Sequence, residues 1–146
     1  MGMMIDTSVF IAWERTGSAI DFTPWQDRGQ MFVSAITVSE LLVGVRRANT
    51  EARRLNRSRF VELVIEILTV LNFTTEVARV HANLSGDQSE KGQPIGAYDS
   101  LIAATALHHS LSILTANVAE FSRVSDLEVV SLFDTDGHSP TNGTAH

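Results

Sequence analysis

Short apolar runs alternate along the chain with longer segments whose apolar residues recur every three or four positions. Five runs of three to five residues have the composition of buried strands, and they lie at residues 3–5, 31–33, 69–73, 111–114 and 128–132. The segments between the runs have the period of amphipathic helices. Strands that alternate with helices form a parallel sheet covered on both faces, so the pattern predicts one three-layer α/β/α sandwich with a five-stranded parallel sheet.

The first four predicted helices are placed by their apolar stripes and their capping residues. The first spans residues 8–13, and the second opens at Thr37. A break at residues 49–51 separates the second helix from a long third one. Thr74 or Thr75 is expected to cap the fourth.

The second half of the chain contains one polar interruption and one strongly apolar helix. Residues 85–96 carry three glycines and Pro94, which predicts a loop or a loosely wound helix end. The helix from Asp99 to about His108 is apolar nearly all round, which predicts a central position in its layer. Residues 1–133 are therefore expected to form one domain, followed by a disordered tail at 134–146.

Composition narrows the chemistry that this fold can carry. With 44% hydrophobic and 19% charged residues among 146, the chain has the balance of an ordinary globular protein. It has no cysteine, which excludes disulfides, zinc–thiolate sites and thiol nucleophiles. No basic segment follows Met1, and no apolar stretch approaches the roughly 20 residues that span a bilayer. We therefore expect a cytoplasmic protein with no membrane partner.

The charge of the chain is distributed unevenly. A net charge of −6 argues against a protein that coats nucleic acid by bulk attraction. Six of the ten arginines nevertheless lie between Arg46 and Arg59. The sequence leaves two interpretations of this group open, a patch that holds an RNA backbone and a solvated helix face.

Acidic or amide side chains occur where predicted strands end or helices begin. They are Asp6, Glu40, Asp99, and Asn117 with Glu120 close behind. Each has a purely structural alternative as a helix cap. Glu40 occupies the last position of a capping box, and Asn117 with Glu120 repeats that pattern. Asp99 in a first helical turn complements the helix dipole, and Asp6 can cap the helix that follows it.

The same side chains gain a second interpretation when they are considered together. In a parallel sheet they meet at one edge, where unneutralised carboxylates repel one another and their pKa values rise. A divalent cation removes that repulsion. Oxygen ligands without cysteine or suitably spaced histidine favour Mg²⁺, with Mn²⁺ as a substitute, over zinc. The sequence therefore predicts a metal site formed by Asp6, Glu40 and Asp99.

A carboxylate-held Mg²⁺ beside a polyanion is suited to phosphodiester hydrolysis, because it neutralises the phosphate and lowers the pKa of a bound water. Asp6 and Asp99 are the expected direct or water-mediated ligands. Glu40 is expected to complete the shell or position the water, and Asn117 to orient a ligand water. The hydroxyl groups expected to support these side chains are those of Thr7, Ser8 and Thr115.

Four motifs occur in a recognisable order: Asp-Thr-Ser at 6–8, SELLVGVRR at 39–47, DSLIAATA at 99–106 and LTAN at 114–117. Over residues 3–133 the chain resembles PIN-domain ribonucleases, and among them the VapC toxins of toxin–antitoxin pairs. The resemblance implies a homodimer with Mg²⁺-dependent endoribonuclease activity on structured RNA such as tRNA or rRNA. It also implies inhibition by a cognate VapB-type antitoxin, and it assigns the three core acids of the family to Asp6, Glu40 and Asp99.

The fourth acidic position departs from the family pattern. The family commonly has Asp or Asn where Asn117 stands, and often Asp where this chain has Glu120. Which of the two completes the site stays open, and we predict one well-held Mg²⁺ in the RNA-free protein. Two alternatives to the toxin also stay open, a housekeeping RNA-processing PIN nuclease and a catalytically idle PIN scaffold that binds RNA or protein. Apolar surface on the second and third helices fits a dimer face or an antitoxin groove.

Overall fold

The computed structural model describes residues 2–134, and its centre is a five-stranded sheet in the order β3-β2-β1-β4-β5. The strands are β1 (Gly2–Ile5), β2 (Gln30–Ser34), β3 (Thr69–Leu71), β4 (Ser112–Thr115) and β5 (Val129–Ser131). All neighbouring strands pair in parallel. Each predicted apolar run overlaps one strand, so the predicted parallel sheet is confirmed.

Helices connect the strands on both faces of the sheet. They are α1 (Thr7–Thr16), α2 (Ala35–Arg46), α3 (Glu51–Ile67), α4 (Thr75–Lys91), α5 (Ala97–His108) and α6 (Val118–Phe121). A 3₁₀ helix, Thr23–Arg28, lies between α1 and β2. The predicted break before the third helix and the Thr74 cap of the fourth are both present, since α2 ends at Arg46 and the Thr74 hydroxyl accepts from the Val77 amide at 3.2 Å.

Two separate hydrophobic clusters fill the space between the sheet and its helices. Met3 and Ile5 of β1 join side chains of α1, α2 and α3, among them Phe10 and Val64. Met4, which points to the opposite face because strand side chains alternate, joins side chains of α4, α5 and α6. This division produces the three layers of the predicted α/β/α sandwich.

The order of the strands fixes where a site can form. The chain moves outward from β1 through β2 to β3, and then returns to add β4 and β5 on the other side of β1. The direction of winding therefore changes at β1, where the carboxyl ends of β1 and β4 open a crevice. Asp6 follows the last residue of β1 directly.

Several predicted helix boundaries differ from the observed ones, since α1 continues beyond residue 13 to Thr16 and α5 begins at Ala97 instead of Asp99. The second helix begins at Ala35 instead of Thr37, because the Ser34 hydroxyl at the end of β2 accepts from the Ile36 amide at 3.0 Å and caps it. Of the two predictions for the polar segment, a loop and a helix end, the second is correct for residues 85–91, which continue α4. Burial of Leu84 and Gln88 on one helix face outweighs the weak helix propensity of this polar segment, and the helix ends only at Gly92, whose φ of 64° favours glycine.

No helix within residues 2–134 is long and apolar enough to cross a membrane. The predicted disordered tail at 134–146 lies, except for Asp134, outside the described residues.

Candidate active site

Asp6 lies at the carboxyl end of the central strand and is only 2% exposed. It is the N-cap residue of α1, so the capping role predicted for Asp6 is confirmed. Every hydrogen bond of its side chain falls on one oxygen, Oδ2. That atom accepts from the Ser8 hydroxyl at 2.6 Å, the Thr115 hydroxyl at 2.9 Å and the Ser8 amide at 3.3 Å.

The second carboxylate oxygen of Asp6 has no such support. Oδ1 is buried and has no hydrogen-bond partner among the described residues. Burial raises the pKa of Asp6, although the Ser8 and Thr115 hydrogen bonds act in the opposite direction. A buried carboxylate oxygen without a donor is unfavourable unless a cation or a proton reaches it.

Glu40 lies on the second turn of α2 and is held by a residue from α1. The Thr7 hydroxyl donates to Glu40 Oε1 at 2.7 Å, and lies 2.9 Å from the Thr37 hydroxyl. The capping-box interpretation of Glu40 is therefore wrong, since α2 begins before Thr37 and the Glu40 side chain bonds to a different helix. Burial, followed by the nearby charge of Asp6, raises the pKa of Glu40.

Asp99 lies in the first turn of α5, half-buried at the same edge of the sheet. Its pKa is raised to about 7, first by burial and then by a hydrogen bond to Glu120 that only the protonated carboxyl can donate. The charges of Asp6, Glu120 and Glu40 raise it further. The carboxylates predicted from separate elements therefore do affect one another electrostatically.

Glu120, and not Asn117, makes the contact with Asp99. The Asn117 side-chain amide donates to Glu120 Oε2 at 2.6 Å, and the Gly96 amide donates to Glu120 Oε1 at 2.5 Å. The Gly96 hydrogen bond is the main reason why the pKa of Glu120 is lowered. Asn117 stands at the cap position of α6 but its side chain makes no capping bond, so the predicted capping box is wrong here as well.

Two carboxylates approach the backbone of Gly96. A Cβ atom at this position would lie 3.3 Å from Glu120 Oε1 and 3.8 Å from Asp99 Oδ2. Glycine therefore lets Glu120 bond to the Gly96 amide without a shift of its carboxylate by a few tenths of an ångström. Gly96 was predicted only as part of a polar connection, and its contact with Glu120 could not be inferred from spacing.

The hydroxyl groups expected to support the carboxylates do so. Thr115 bonds to Asp6 and accepts from the Asn117 amide at 2.8 Å, and Ser8 accepts from the Ala116 amide at 3.0 Å. These bonds connect the end of β1 to the end of β4. They fix the Asp6 carboxylate in one orientation, as a ligand in a metal site requires.

The residue set fits a hard divalent cation, although its present arrangement does not enclose one. Within residues 2–134, no three Asp, Glu or His side chains are placed as a ready metal-binding group. The donor set is nevertheless all oxygen, Asp6 Oδ1 is buried without a partner, and the carboxyl pKa values of Asp6, Glu40 and Asp99 are raised. Bound Mg²⁺ or Mn²⁺ would neutralise this charge with ligands of the type it prefers.

Arg123 is a charged residue near this site that sequence reasoning missed. Its guanidinium Nη1 donates to the carbonyl of Pro94 at 2.9 Å, and its charge contributes to the lowered pKa of Glu120. The only available signal was its position three residues after Glu120, which places the two on neighbouring sites of a helical turn.

Three of the six arginines between Arg46 and Arg59 bond to other groups of the protein. Arg53 and Arg54 bond to Asn49 and Glu51, while Arg57 bonds to Glu14 and to the Gly44 carbonyl. Within residues 2–134, the other three make no ion pair. Those three are Arg46, Arg47 and Arg59.

Comparison with known proteins agrees with this geometry. Residues 3–127 match the PIN domain family. Ribonuclease VapC1 of Rickettsia felis is 40% identical over 136 residues, which cover 93% of this chain and all of that protein. The tRNA(fMet)-specific endonuclease VapC of Salmonella typhimurium is 32% identical over 100 residues, covering 68% of this chain and 74% of that protein.

A solved structure gives the same result for the fold. The crystal structure of DNA-bound VapBC from Salmonella typhimurium superimposes with a TM-score of 0.76 at 26% identity, covering 90% of this chain and 98% of that one. The resemblance noted from the four motifs is thereby confirmed. The chain belongs to the PIN-domain family, and within it to the VapC ribonucleases of toxin–antitoxin pairs.

Proposed function

We propose that Asp6, Glu40 and Asp99 bind Mg²⁺ and that the chain uses this site to cleave structured RNA as the toxin of a toxin–antitoxin pair. The observation that carries the proposal is the buried Asp6 Oδ1, which has no hydrogen-bond partner at the point where the sheet changes its winding direction. Asp99 and Glu40, with their raised pKa values, supply the further carboxylates.

Each residue has a distinct part in this proposal. The bound ion would supply charge neutralisation at the phosphate and a water of lowered pKa. Thr7 holds the Glu40 carboxylate, while Ser8 and Thr115 hold Asp6 through Oδ2 and leave Oδ1 for the ion. Asn117 acts through Glu120, which it orients beside Asp99. Glu120 is therefore our candidate for the fourth carboxylate.

The substrate proposal is supported by one relative and by the charge distribution. The Salmonella relative is a tRNA(fMet)-specific endonuclease, which favours tRNA over rRNA as the class of RNA for this chain. Acidic clusters repel nucleic acid, so cationic side chains have to contact the backbone. Arg46, Arg47 and Arg59 on one side, and Arg123 beside Glu120, are the candidates.

We further propose a VapB-type antitoxin as partner and a homodimer as the assembly. The Salmonella neighbour was solved as a VapBC complex, which supports the antitoxin. Large apolar side chains are exposed on α1, α2 and α3, where they fit a partner surface. They are Ile11, Leu42, Val43, Leu55, Leu63 and Ile67. Light scattering that shows only monomer at micromolar concentration would contradict the homodimer.

The metal-nuclease mechanism is tested by cleavage of total RNA with end mapping. Wild type, Asp6→Ala and Asp99→Ala are compared in Mg²⁺ and in EDTA. Asp87→Ala is the matched control, because Asp87 is an exposed carboxylate of α4 outside the site. We expect discrete cuts from wild type and the control in Mg²⁺ alone, and none from the two site variants.

Each other outcome has a definite meaning. Equal cleavage by all four proteins, or cleavage in EDTA, would disprove the proposed mechanism. No cleavage by wild type under any condition would support the catalytically idle scaffold. Activity toward RNA precursors in the absence of any antitoxin effect would support the housekeeping nuclease.

A further inference from the structure

A cavity of about 370 Å³ lies beside the acidic site, between α4 and the connection that leads to α5. Its volume is within the range of small-ligand pockets. Ser100, which lines it, follows Asp99 directly, and Ile95, which also lines it, precedes Gly96. The lining is therefore adjacent in sequence to Asp99 and to Gly96, whose amide bonds to Glu120.

The wall of the cavity combines apolar and hydrogen-bonding groups without charge. Leu84, Pro94 and Ile95 supply apolar surface, and Ser89 and Ser100 supply hydroxyls. No charged side chain occurs among its described lining residues, although the chain as a whole carries a net charge of −6. A nucleobase has matching properties, namely an apolar face and a polar edge, without charge.

Gln88 adds a buried acceptor to this wall. It is 5% exposed, and its Nε2 donates to the Arg123 carbonyl at 2.8 Å. The other atom of the amide, Oε1, is buried and has no hydrogen-bond partner among the described residues. A buried acceptor without a donor is unfavourable, so a rotation of the Gln88 side chain that brings Oε1 to the N–H group of a ligand in the cavity is favoured.

A cation stands next to the same cavity. The Arg123 guanidinium bonds to the carbonyl of Pro94 through Nη1 alone, which leaves its remaining N–H groups free of protein partners within residues 2–134. Arginine in this position can contact a phosphate on the strand whose base enters the cavity.

We propose that this cavity binds one nucleobase of the RNA adjacent to the scissile phosphate. The proposal rests on the proposed function, since it assigns a substrate subsite to the same nuclease. Each of the four RNA bases carries an N–H donor, either on an exocyclic amino group or on the ring, and each can therefore supply the donor that Gln88 lacks.

The first test is an NMR titration of the full chain with AMP, CMP, GMP and UMP, and with ribose 5-phosphate, which lacks a base. We expect amide shifts at Ser89, Gly92 and Ile95 with the four nucleotides and much weaker shifts with ribose 5-phosphate. Ser89→Phe fills the cavity without removing a side-chain hydrogen bond, and should abolish the shifts. Ala82→Phe is the matched control, because Ala82 is exposed on α4 outside the cavity, and should retain them.

Two results of the titration would overturn the proposal. One is the absence of shifts at these amides with any nucleotide at millimolar concentration. The other is an equal response to ribose 5-phosphate, which would show that the cavity does not recognise the base.

The second test uses RNA cleavage and separates the subsite from the nuclease activity itself. We expect Ser89→Phe to cleave RNA with roughly tenfold lower kcat/KM than Ala82→Phe, because about one buried hydrogen bond and its apolar contact are lost. We also expect Ser89→Phe to show an altered base preference next to the cut. Equal rates and equal cut sites for both variants would refute the subsite while the nuclease stands. Nucleotide shifts at the cavity in a protein that cleaves no RNA would support base binding at the cavity and refute the proposed function.

Discussion

Substitution of Asp99 by Asn should stabilise the metal-free protein at neutral and alkaline pH. Ionised Asp99 is disfavoured in the folded state by burial and by the charges of Asp6, Glu120 and Glu40. Asn cannot ionise, yet its amide can donate to Glu120 in place of the carboxyl proton. The substitution therefore removes a repulsion and preserves the hydrogen bond.

The size of the effect follows from the pKa of Asp99, which is about 7 in the folded state against a usual value of 3.8. A difference of about three pKa units lowers the free energy of unfolding by roughly 4 kcal/mol when Asp99 is fully ionised. Because the side chain is only half-buried, solvent screening reduces this to about 1–2 kcal/mol. In a domain of this size that gain raises the Tm by roughly 3–6 °C.

The pH dependence has a definite sign. Below pH 3.8 the carboxyl is protonated in the folded and the unfolded chain, so Asp99 does not distinguish them. Between that value and about 7 only the unfolded chain loses the proton, and the free energy of unfolding falls as the pH rises. Above about pH 7 the full cost of ionised Asp99 is present.

The assay is thermal unfolding in EDTA at several pH values for wild type, Asp99→Asn and the surface control Asp87→Asn. We expect a higher Tm for Asp99→Asn than for wild type at pH 8, and equal Tm values near pH 4. Added Mg²⁺ should raise the Tm of wild type and narrow the gap, because the ion neutralises the same charge. A Tm for Asp99→Asn at or below that of wild type at pH 8 would refute the reasoning.

Three further outcomes are expected. Asn117→Ala removes the 2.6 Å bond to Glu120 and should weaken Mg²⁺ binding roughly five- to tenfold by calorimetry, whereas unchanged affinity would exclude a role for Glu120 in the site. Titration of the RNA-free protein should give one tightly bound Mg²⁺ per chain, and two strongly bound ions would contradict this. Arg57→Ala loses its bonds to Glu14 and to Gly44, so its free energy of unfolding in urea should fall by about 1–2 kcal/mol, while Arg59→Ala serves as the control.

The strands, and the positions of Asp6 after a strand and of Asp99 at a helix start, were predictable because their signals are local. Strands of a parallel sheet are buried on both faces, so a run such as Met3–Ile5 is apolar throughout. Asp6 interrupts that pattern at the strand end, and Asp99 heads a helix with five buried residues from Ile102 to Ala106. At these positions, burial is therefore visible in the sequence as a run of apolar residues next to a single acid.

The support of the site was not predictable, because it depends on contacts between distant residues. Glu40 is held by Thr7, 33 positions earlier in the chain, while the local pattern favoured a bond to its own helix. Glu120 is held by Gly96, 24 positions away, and no local pattern indicates this pairing. For residues 85–91 the sequence left a loop and a helix end open, and tertiary burial decides for the helix.

Capping and metal binding, which the sequence presents as alternatives for Asp6, are compatible in the structure. The cap uses Oδ2 alone, and the same bonds that anchor this oxygen to Ser8 and Thr115 leave Oδ1 buried without a donor. A carboxylate that caps a helix is rigid, and a rigid ligand loses little conformational entropy when an ion binds. Asp6 is therefore suited to the role of principal ligand because it is also a structural residue. The carboxyl groups of Asp99 and Glu120, whose interaction raises the pKa of Asp99, are the ones whose charge a bound ion would neutralise.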